Sequence, residues 1–502
     1  MPQAQWIFRK DFIRLWGVLA VAIPLQVLAR WVDSSPEAVQ VQFLTGFFRG
    51  LAQWFLVVSV IHEEAVPGDR QYWLTRPIAW QDLLLAKAAF VLIFIHLPCF
   101  LTDVVTLAAH GQSIIRFFPS LLTCQFSILA LDVLLPAAIA AVTATLARFV
   151  WLCLALLVGF GLLVSVSSSY APSGSDWGGV EWFRSTIVAA LLVAIGVTVL
   201  LMQYARRDTR VSHCILVAIP LVLALSFCMP GWHAAFAVQA RIGPHCTDAA
   251  AIRVSFDPAR DPHTRPKTGV SWRQHTRSLY IPVRITGIPA GMMLYSDRAA
   301  VTVTSSDGWT WTSGWDQAHK LVRVTDVTSV RLPEEQFLMA GDECWQYLNV
   351  DSSTYAASRK PVRMRIKWAM TLFSQPEITS MARGQWPRSV PGGGSCWTRK
   401  NDSVPSSCVW PGQAPQVNYV RARAIPNGAV TDFPLSLPSV PPGNYGPYPD
   451  GGNIWQTATL GLYNPSPQPP SEISLWSHRA IAHFERVLDV RIDDSVWRRF
   501  LP

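Results

Sequence analysis

The chain alternates long apolar runs with short polar interruptions as far as residue 232, and then changes character. Seven runs are long enough to cross a bilayer, which takes roughly 20 apolar residues of helix: 13–29, 43–61, 83–108, 117–147, 149–168, 185–204 and 213–231. The third and fourth exceed one crossing, which predicts tilt or a break, placed at Pro98 and Pro136. Residues 2–16 mix Trp6, Phe8, Phe12 and Trp16 with Arg9, Lys10 and Arg14. That composition fits a short amphipathic helix in the headgroup region, or equally an aromatic and basic flank to the first span. Residues 165–183 read as a Ser/Gly/Pro turn with Trp177 and Trp182 resting on the membrane surface.

Beyond residue 232 the periodicity becomes that of strands. Residues 278–285 (SLYIPVRI), 300–304 (AVTVT), 309–311 (WTW) and 361–372 (PVRMRIKWAMTL) alternate or carry β-branched and aromatic residues between turn clusters. An antiparallel, sandwich-like domain with one wet face follows from that. Residues 385–470 are rich in Pro, Gly and Ser and are expected to form long loops. In the tail Trp476, Ala480, Phe484, Val487 and Leu488 can share one helical face, which predicts an amphipathic C-terminal helix. The expected fold is an α-helical polytopic membrane bundle of about seven transmembrane helices over residues 1–232. A mainly β domain follows over 233–470, with the helix over 471–502.

Charge orients this arrangement. With the N-terminus inside, the inner flanks hold Arg9, Lys10, Arg14, Arg70, Arg76, Lys87, Arg148, Arg206, Arg207 and Arg210, against Arg30, Arg116 and Arg184 on the outer flanks. Ten against three is a positive-inside bias, and an odd number of spans then carries the β domain outside the cytoplasm. No cleavage site follows the first apolar run, so that run is expected to remain in the mature protein. The net charge of +9 is scattered rather than gathered in a stripe, which argues against nucleic acid as a partner. Cys246, Cys344, Cys396 and Cys408 lie in the β domain, an even number on an oxidising side. They are expected to pair as Cys396–Cys408 and Cys246–Cys344, leaving no metal site. Cys99, Cys124, Cys153, Cys214 and Cys228 read as small apolar residues of the spans.

Candidate chemistry is sparse. No G-x-x-x-x-G-K-[ST] run exists, so ATP is not bound through a P-loop of this chain. His62-Glu63-Glu64 lacks the second histidine of a zinc-protease helix, since position 66 is Val66. His478 and His483 would fall on different faces of a helix, and Asn401-Asp402-Ser403 is a glycosylation triplet of the kind chance supplies. Asp132 stands near the middle of the fourth run, where a carboxylate is expensive and faces the bundle interior or a wet cavity. It reads either as part of a substrate or gating path, or as a structural partner of Arg49 or of a neighbouring helix. Asp103 and Arg49 also lie within runs, nearer their outer ends.

The polar stretch 62–87, HEEAVPGDRQYWLTRPIAWQDLLLAK, joins the second and third runs. Glu63, Glu64, Gly68, Leu74-Thr75-Arg76-Pro77, Leu84 and Lys87 stand in an order that resembles the loop between the second and third spans of ABC-2-type transporter permeases. The chain departs from that family just after Gly68, where members often have Thr-x-Glu and Asp69-Arg70-Gln71 stands here. The resemblance covers about residues 1–210 and omits the seventh run and the β domain. It implies a bacterial plasma-membrane permease subunit, homodimeric or heterodimeric, with no cofactor or catalytic residue of its own. The loop would dock on a separate cytoplasmic ATPase, with Glu64, Arg76 and Pro77 coupling its motion to the spans. The competing expectation is a membrane-anchored binding or sensory protein whose bundle does not transport.

Overall fold

Proline cannot donate a backbone hydrogen bond, and it frees the carbonyl four residues earlier, Phe94 for Pro98 and Asp132 for Pro136. In the computed structural model of the chain both runs cross these points without a break. Each widens into a π-helical turn, Leu92–His96 and Ile128–Leu134, immediately before its proline-bearing segment. The structure describes residues 2–35, 38–64, 79–170, 180–226, 231–264, 276–316, 319, 321–323, 337–351, 361–382, 388–390, 394–397, 407–411, 418–424, 431–435, 455–459, 472–493 and 499.

The helices are α1 (Pro2–Asp33), α2 (Val39–His62), α3 (Trp80–Val91), α4 (Leu97–Ala109), α5 (Ile114–Ser127), α6 (Leu135–Val142), α7 (Leu146–Tyr170), α8 (Glu181–Leu201), α9 (Thr209–Ser226) and α10 (Trp232–Ile242). Joined through their π turns, α3–α4 and α5–α6 are single rods. Among the described residues six helices are thus long and apolar enough to cross a membrane: Gln3–Asp33, Val41–His62, Trp80–Ala109, Ile114–Val142, Leu146–Leu163 and Ser185–Arg206. The seventh run forms α9, whose described apolar part, Thr209–Pro220, is shorter than a crossing needs; residues 227–230 lie outside the described residues. Residues 2–16 form no separate helix, because α1 runs unbroken from Pro2 into the first span.

Small residues let the bundle close tightly. Ala137, Ala138, Ala140 and Ala141 of α6 are all buried. Gly196 of α8 lies so near the Ile128–Leu134 π turn that an added Cβ would stand 2.8 Å from Leu134 Cβ and 3.2 Å from its carbonyl oxygen. Lipid cannot drive helices together by the hydrophobic effect, so such close backbone approach carries much of the association.

The strands are β1 (Arg253–Phe256), β2 (Thr276–Thr286), β3 (Met293–Ser305), β4 (Thr310–Asp316), β5 (Leu321–Arg323), β6 (Phe337–Leu338), β7 (Cys344–Asp351) and β8 (Val362–Phe373). They continue as β9 (Glu377–Ala382), β10 (Arg388–Val390), β11 (Gly394–Trp397), β12 (Ser407–Pro411), β13 (Asn418–Ala424), β14 (Thr431–Leu435), β15 (Trp455–Thr459) and β16 (Glu472–Ile492). A large sheet runs β14-β13-β16-β8-β3-β4, and a smaller one runs β1-β2-β7-β5. Ile281 and Val283 of β2 and Leu348 of β7 share one core with Val301 of β3, Met364 and Trp368 of β8 and Leu488 of β16. That two-layer arrangement matches the sandwich expected from the alternation. The stretch 385–470, expected to form long loops, contains short strands, four of which form the sheet β10-β11-β12-β15.

The expected C-terminal helix is replaced by β16, paired to β8 on one side and to β13 and β9 on the other. Its spacing misleads because Trp476, Ala480, Phe484 and Leu488 stand four apart, an interval that suits one face of a helix and is also a multiple of the strand period. The strand also carries a bulge, where the register passes from Ala480↔Phe373 to Ala482↔Leu372 and leaves Ile481 extra, so that positions of one parity change face there. Past the bulge, buried Leu488 and Ile492 alternate with exposed Asp489 and Arg491, the pattern of a strand.

Candidate functional site

Charged groups of α1 and α3 cluster around the residues that follow α2. Lys87 of α3 donates to Asp11 Oδ2 of α1 at 2.7 Å and to Glu64 at the end of α2. Lys10 of α1 bonds the same Glu64 and lies 3.4 Å from Asp11 Oδ1, and Arg14, one turn further along α1, bonds Glu63. Lys87 is 2% exposed, Asp11 0% and Glu64 7%. Charges this deep persist only when they neutralise one another, and here two ammonium groups meet two carboxylates. His62, the last residue of α2, adds a tie: its Nε2 donates to Ala140 O of α6 at 3.2 Å. The structure therefore brings Glu63, Glu64 and Lys87 together, whereas Gly68, Arg76 and Pro77 lie outside the described residues.

The partners on α1 were missed in the sequence. A signal was present, because Asp11 is the sole acid before Asp33 and stands among Arg9, Lys10 and Arg14. A carboxylate in a basic amphipathic turn is out of place unless something pairs with it.

A second group of polar side chains lies inside the bundle. Arg30 and Asp103 are both 0% exposed, with Arg30 Nη1 3.6 Å from Asp103 Oδ2 and 3.4 Å from Cys124 Sγ. Arg49 Nη1 stands 3.6 Å from Asp33 Oδ2. Cys99 links Gln53 of α2 to Gln26 of α1 through sulfur contacts of 3.6 Å each. Arg30 is thus an interior residue rather than an outer-flank charge, and it is the ion partner of Asp103. Arg49, which sequence reasoning offered to Asp132, pairs instead with Asp33. Asp132 sits in the π turn, and it is the carbonyl of Asp132 that Pro136 frees.

The β region packs on the other end of these helices. Val409 of β12 joins Leu107 at the end of α4 and Phe117 and Leu121 of α5. Helix α10 is held between Val180 and Phe183 at the start of α8 and Ala369 of β8 through Trp232, Ala235 and Phe236.

The cysteine expectation is corrected in part. Cys246 and Cys344 are free thiols. Cys344 Sγ donates to Val283 O at 3.1 Å within the sheet, whereas Cys246 Sγ turns to Asp248 Oδ2 at 3.5 Å. Strand pairing commits the Cys344 thiol to a neighbouring strand and so precludes the bridge. Cys396 and Cys408 stand directly opposite one another in the β11–β12 register. Their side chains lie outside the described residues. Among the described residues no group of three His, Cys, Asp or Glu side chains could hold a metal ion. His478 and His483 both lie on β16, bonded to Ser374 O and Thr371 Oγ1 respectively.

Comparison with protein-family models, with curated proteins and with solved structures gives no match for this chain.

Proposed function

We propose that this chain is the membrane-spanning subunit of an ATP-driven transporter of ABC-2 type, worked by a separate ATPase that docks on the loop between α2 and α3. The observation that carries this reading is the ion cluster at the base of that loop. Glu64 before the loop and Lys87 after it share Asp11 and Lys10 of α1 as partners. A push on the loop would then reach three helices at once. A merely solvated turn needs no such buried charges at its root. In the resembled family this loop is cytoplasmic and meets the ATPase, and the matched order Glu64, Gly68, Leu74-Thr75-Arg76-Pro77, Lys87 assigns the same role here.

The orientation follows the basic inner flanks, in a bacterial plasma membrane, with the chain paired to a second permease subunit. In this reading α9 completes a seventh crossing. Support comes from its course: it packs along α7 and α8, with Pro220 4.0 Å from where a Cβ on Gly159 would stand, and leads to α10 beside Val180. The β region would then face outward, where Cys396 and Cys408 can form a disulfide. The intramembrane group Arg30, Arg49, Asp103 and Asp132 would line or gate the path of a polar cargo.

The test is a mild-detergent pull-down of the tagged chain with mass spectrometry of co-purifying proteins, wild type beside an Arg76→Glu, Pro77→Ala double variant. An ATPase recovered with wild type and lost in the variant is the expected result. Absence of an ATPase from both would move the reading to a membrane-anchored binding or sensory protein. Reporter fusions after residues 75 and 300 should report opposite sides of the membrane, and agreement between them would sink the orientation.

A further inference from the structure

Two bulges meet around one threonine of the β region. In β3 the register with β8 passes from Ser296↔Met370 to Arg298↔Ala369, so Asp297 is the extra residue. Bulges re-aim side chains, and Asp297 Oδ2 accepts from Thr371 Oγ1 at 2.7 Å. The bulge at Ile481 in β16 sets His483 opposite Thr371, with His483 Nδ1 2.9 Å from Thr371 Oγ1. The other ring nitrogen, Nε2, meets Gln239 Nε2 of α10 at 3.2 Å. Gln239 Oε1 in turn accepts from Trp182 Nε1 in the first turn of α8 at 3.3 Å. Thr371, His483 and Gln239 are all buried.

Elementary donor counting fixes the direction of this chain. An indole N–H can only donate, so the Gln239 carbonyl must face Trp182 and its NH2 must face His483. His483 therefore accepts at Nε2 and carries its proton on Nδ1, from which it donates to Thr371. The Thr371 hydroxyl donates its own hydrogen bond to Asp297. Every bond points from Trp182 toward the carboxylate, an arrangement in which each polarises the next.

We propose that this chain is a polarity-switched link, holding the first turn of α8 to the β region while Asp297 is ionised and releasing it when Asp297 takes up a proton. A protonated Asp297 donates to Thr371 Oγ1, and the Thr371 hydroxyl then turns to His483 Nδ1. The imidazole exchanges its Nδ1 proton for one on Nε2, with no change in charge. Gln239 must turn its carbonyl to that N–H, which leaves its NH2 facing the Trp182 N–H. Two donors face each other and the bond is lost.

The titration behaviour suits such a link. Burial pushes the Asp297 carboxyl up to about 7, against the Thr371 hydrogen bond and the Arg298 charge, which pull it down. Burial holds His483 down at about 4, so the ring stays neutral throughout. The charged groups around the chain have partners of their own. Arg298 lies 4.7 Å over the Trp232 ring, His233 of α10 bonds Glu485 of β16 at 2.7 Å, and Arg486 bonds Ile252 O at 2.8 Å. Further along the same strands Arg363 of β8 pairs with Asp489 of β16 at 2.8 Å and Arg479 of β16 with Glu377 at 2.8 Å, while Arg365 and Lys367 lie on β8, Glu472 and Arg491 on β16 and Arg241 on α10. The side chains of Glu181 and Arg184 lie outside the described residues. The link requires neither an ATPase nor a cargo.

Hydrogen exchange read by mass spectrometry on the purified full chain tests it, at pH about 6 and about 8, one unit either side of the Asp297 titration. Rates are corrected for the intrinsic pH dependence of exchange. Wild type should exchange the first two turns of α8 about fivefold faster at the lower pH, the amount one net hydrogen bond is worth. Asp297→Asn, whose amide donates to Thr371 as the protonated acid would, should show the faster rate at both. Thr371→Ser should keep the pH dependence, whereas Thr371→Val and Trp182→Phe should abolish it. Equal corrected rates for wild type at the two pH values, or pH dependence that survives in Asp297→Asn or Trp182→Phe, would overturn the proposal.

Discussion

Lys87 Nζ lies 2.7 Å from Asp11 Oδ2, joining residues 76 positions apart across the root of the α2–α3 loop. Neither group reaches bulk water, and Glu64 closes the third side of the same contact. The end of α2 and the second turn of α3 are thus both tied to α1.

Lys87→Met leaves the Asp11 and Glu64 carboxylates buried with half their counter-charge gone. Breaking a buried pair in this way typically costs about 3–5 kcal/mol. The double variant Lys87→Met, Asp11→Leu removes one charge of each sign and should recover part of that loss. Thermal unfolding in detergent measures both. A double variant as unstable as the sum of the single changes would show that the two groups do not interact.

Gly196→Ala places a methyl group 2.8 Å from Leu134 Cβ and 3.2 Å from the Leu134 carbonyl oxygen, in the π turn that carries Asp132. Neither the backbone carbonyl nor the short Cβ can swing aside. Overpacking of this kind costs roughly 1–3 kcal/mol, and Gly17→Ala, where a Cβ meets nothing within 4 Å, is the matched control. Loss of stability in the first and not in the second is expected on thermal unfolding.

Thiol labelling of the β region without reductant should find two free cysteines among its four. Cys246 should label in the folded protein. Cys344 should label only on unfolding, since burial pushes its thiol up to about 12 and leaves no thiolate to react. Cys396 and Cys408, opposite one another in β11 and β12, should label only after reduction. Labelling of either without reductant would exclude their disulfide.

Asp257 gives the β region an acid limit. Burial opposes its ionisation, but hydrogen bonds from Arg284 and Arg260, at 3.0 and 3.2 Å, outweigh that and hold the carboxyl below its ordinary range. A group whose folded value is depressed contributes stability above its unfolded value, near 3.9, and that contribution is lost as pH falls through the folded value. Asp257→Asn should therefore destabilise at neutral pH and flatten the loss of stability on acidification below about pH 4. A pH profile parallel to wild type would show that Asp257 is not the responsible group.

Much of the architecture was legible because the bilayer imposes a one-dimensional rule. A helix must be about 20 apolar residues long to cross it, so seven long runs stand out directly, and six of them are helices long enough to cross among the described residues. Alternation gave β2 and β8 nearly to their ends for a similar reason, since a strand with one wet face repeats every second residue. What the sequence could not reveal was anything set by phase or by distant partners. Apolar residues four apart along the tail, Trp476, Ala480, Phe484 and Leu488, suit a helix face as well as a strand, and only pairing with β8 decided for the strand. Lys10, Asp11 and Arg14 looked like headgroup charges until tertiary packing set them against Glu63, Glu64 and Lys87. Arg30 passed for a flank charge until Asp103, 73 residues away, was found beside it. Cys344 met a carbonyl on the adjacent strand where an even count of cysteines had promised a bridge. Hydrophobic period is local and survives reading along the chain; the pairing of buried charges is a property of contact between helices, and only the folded arrangement decides it.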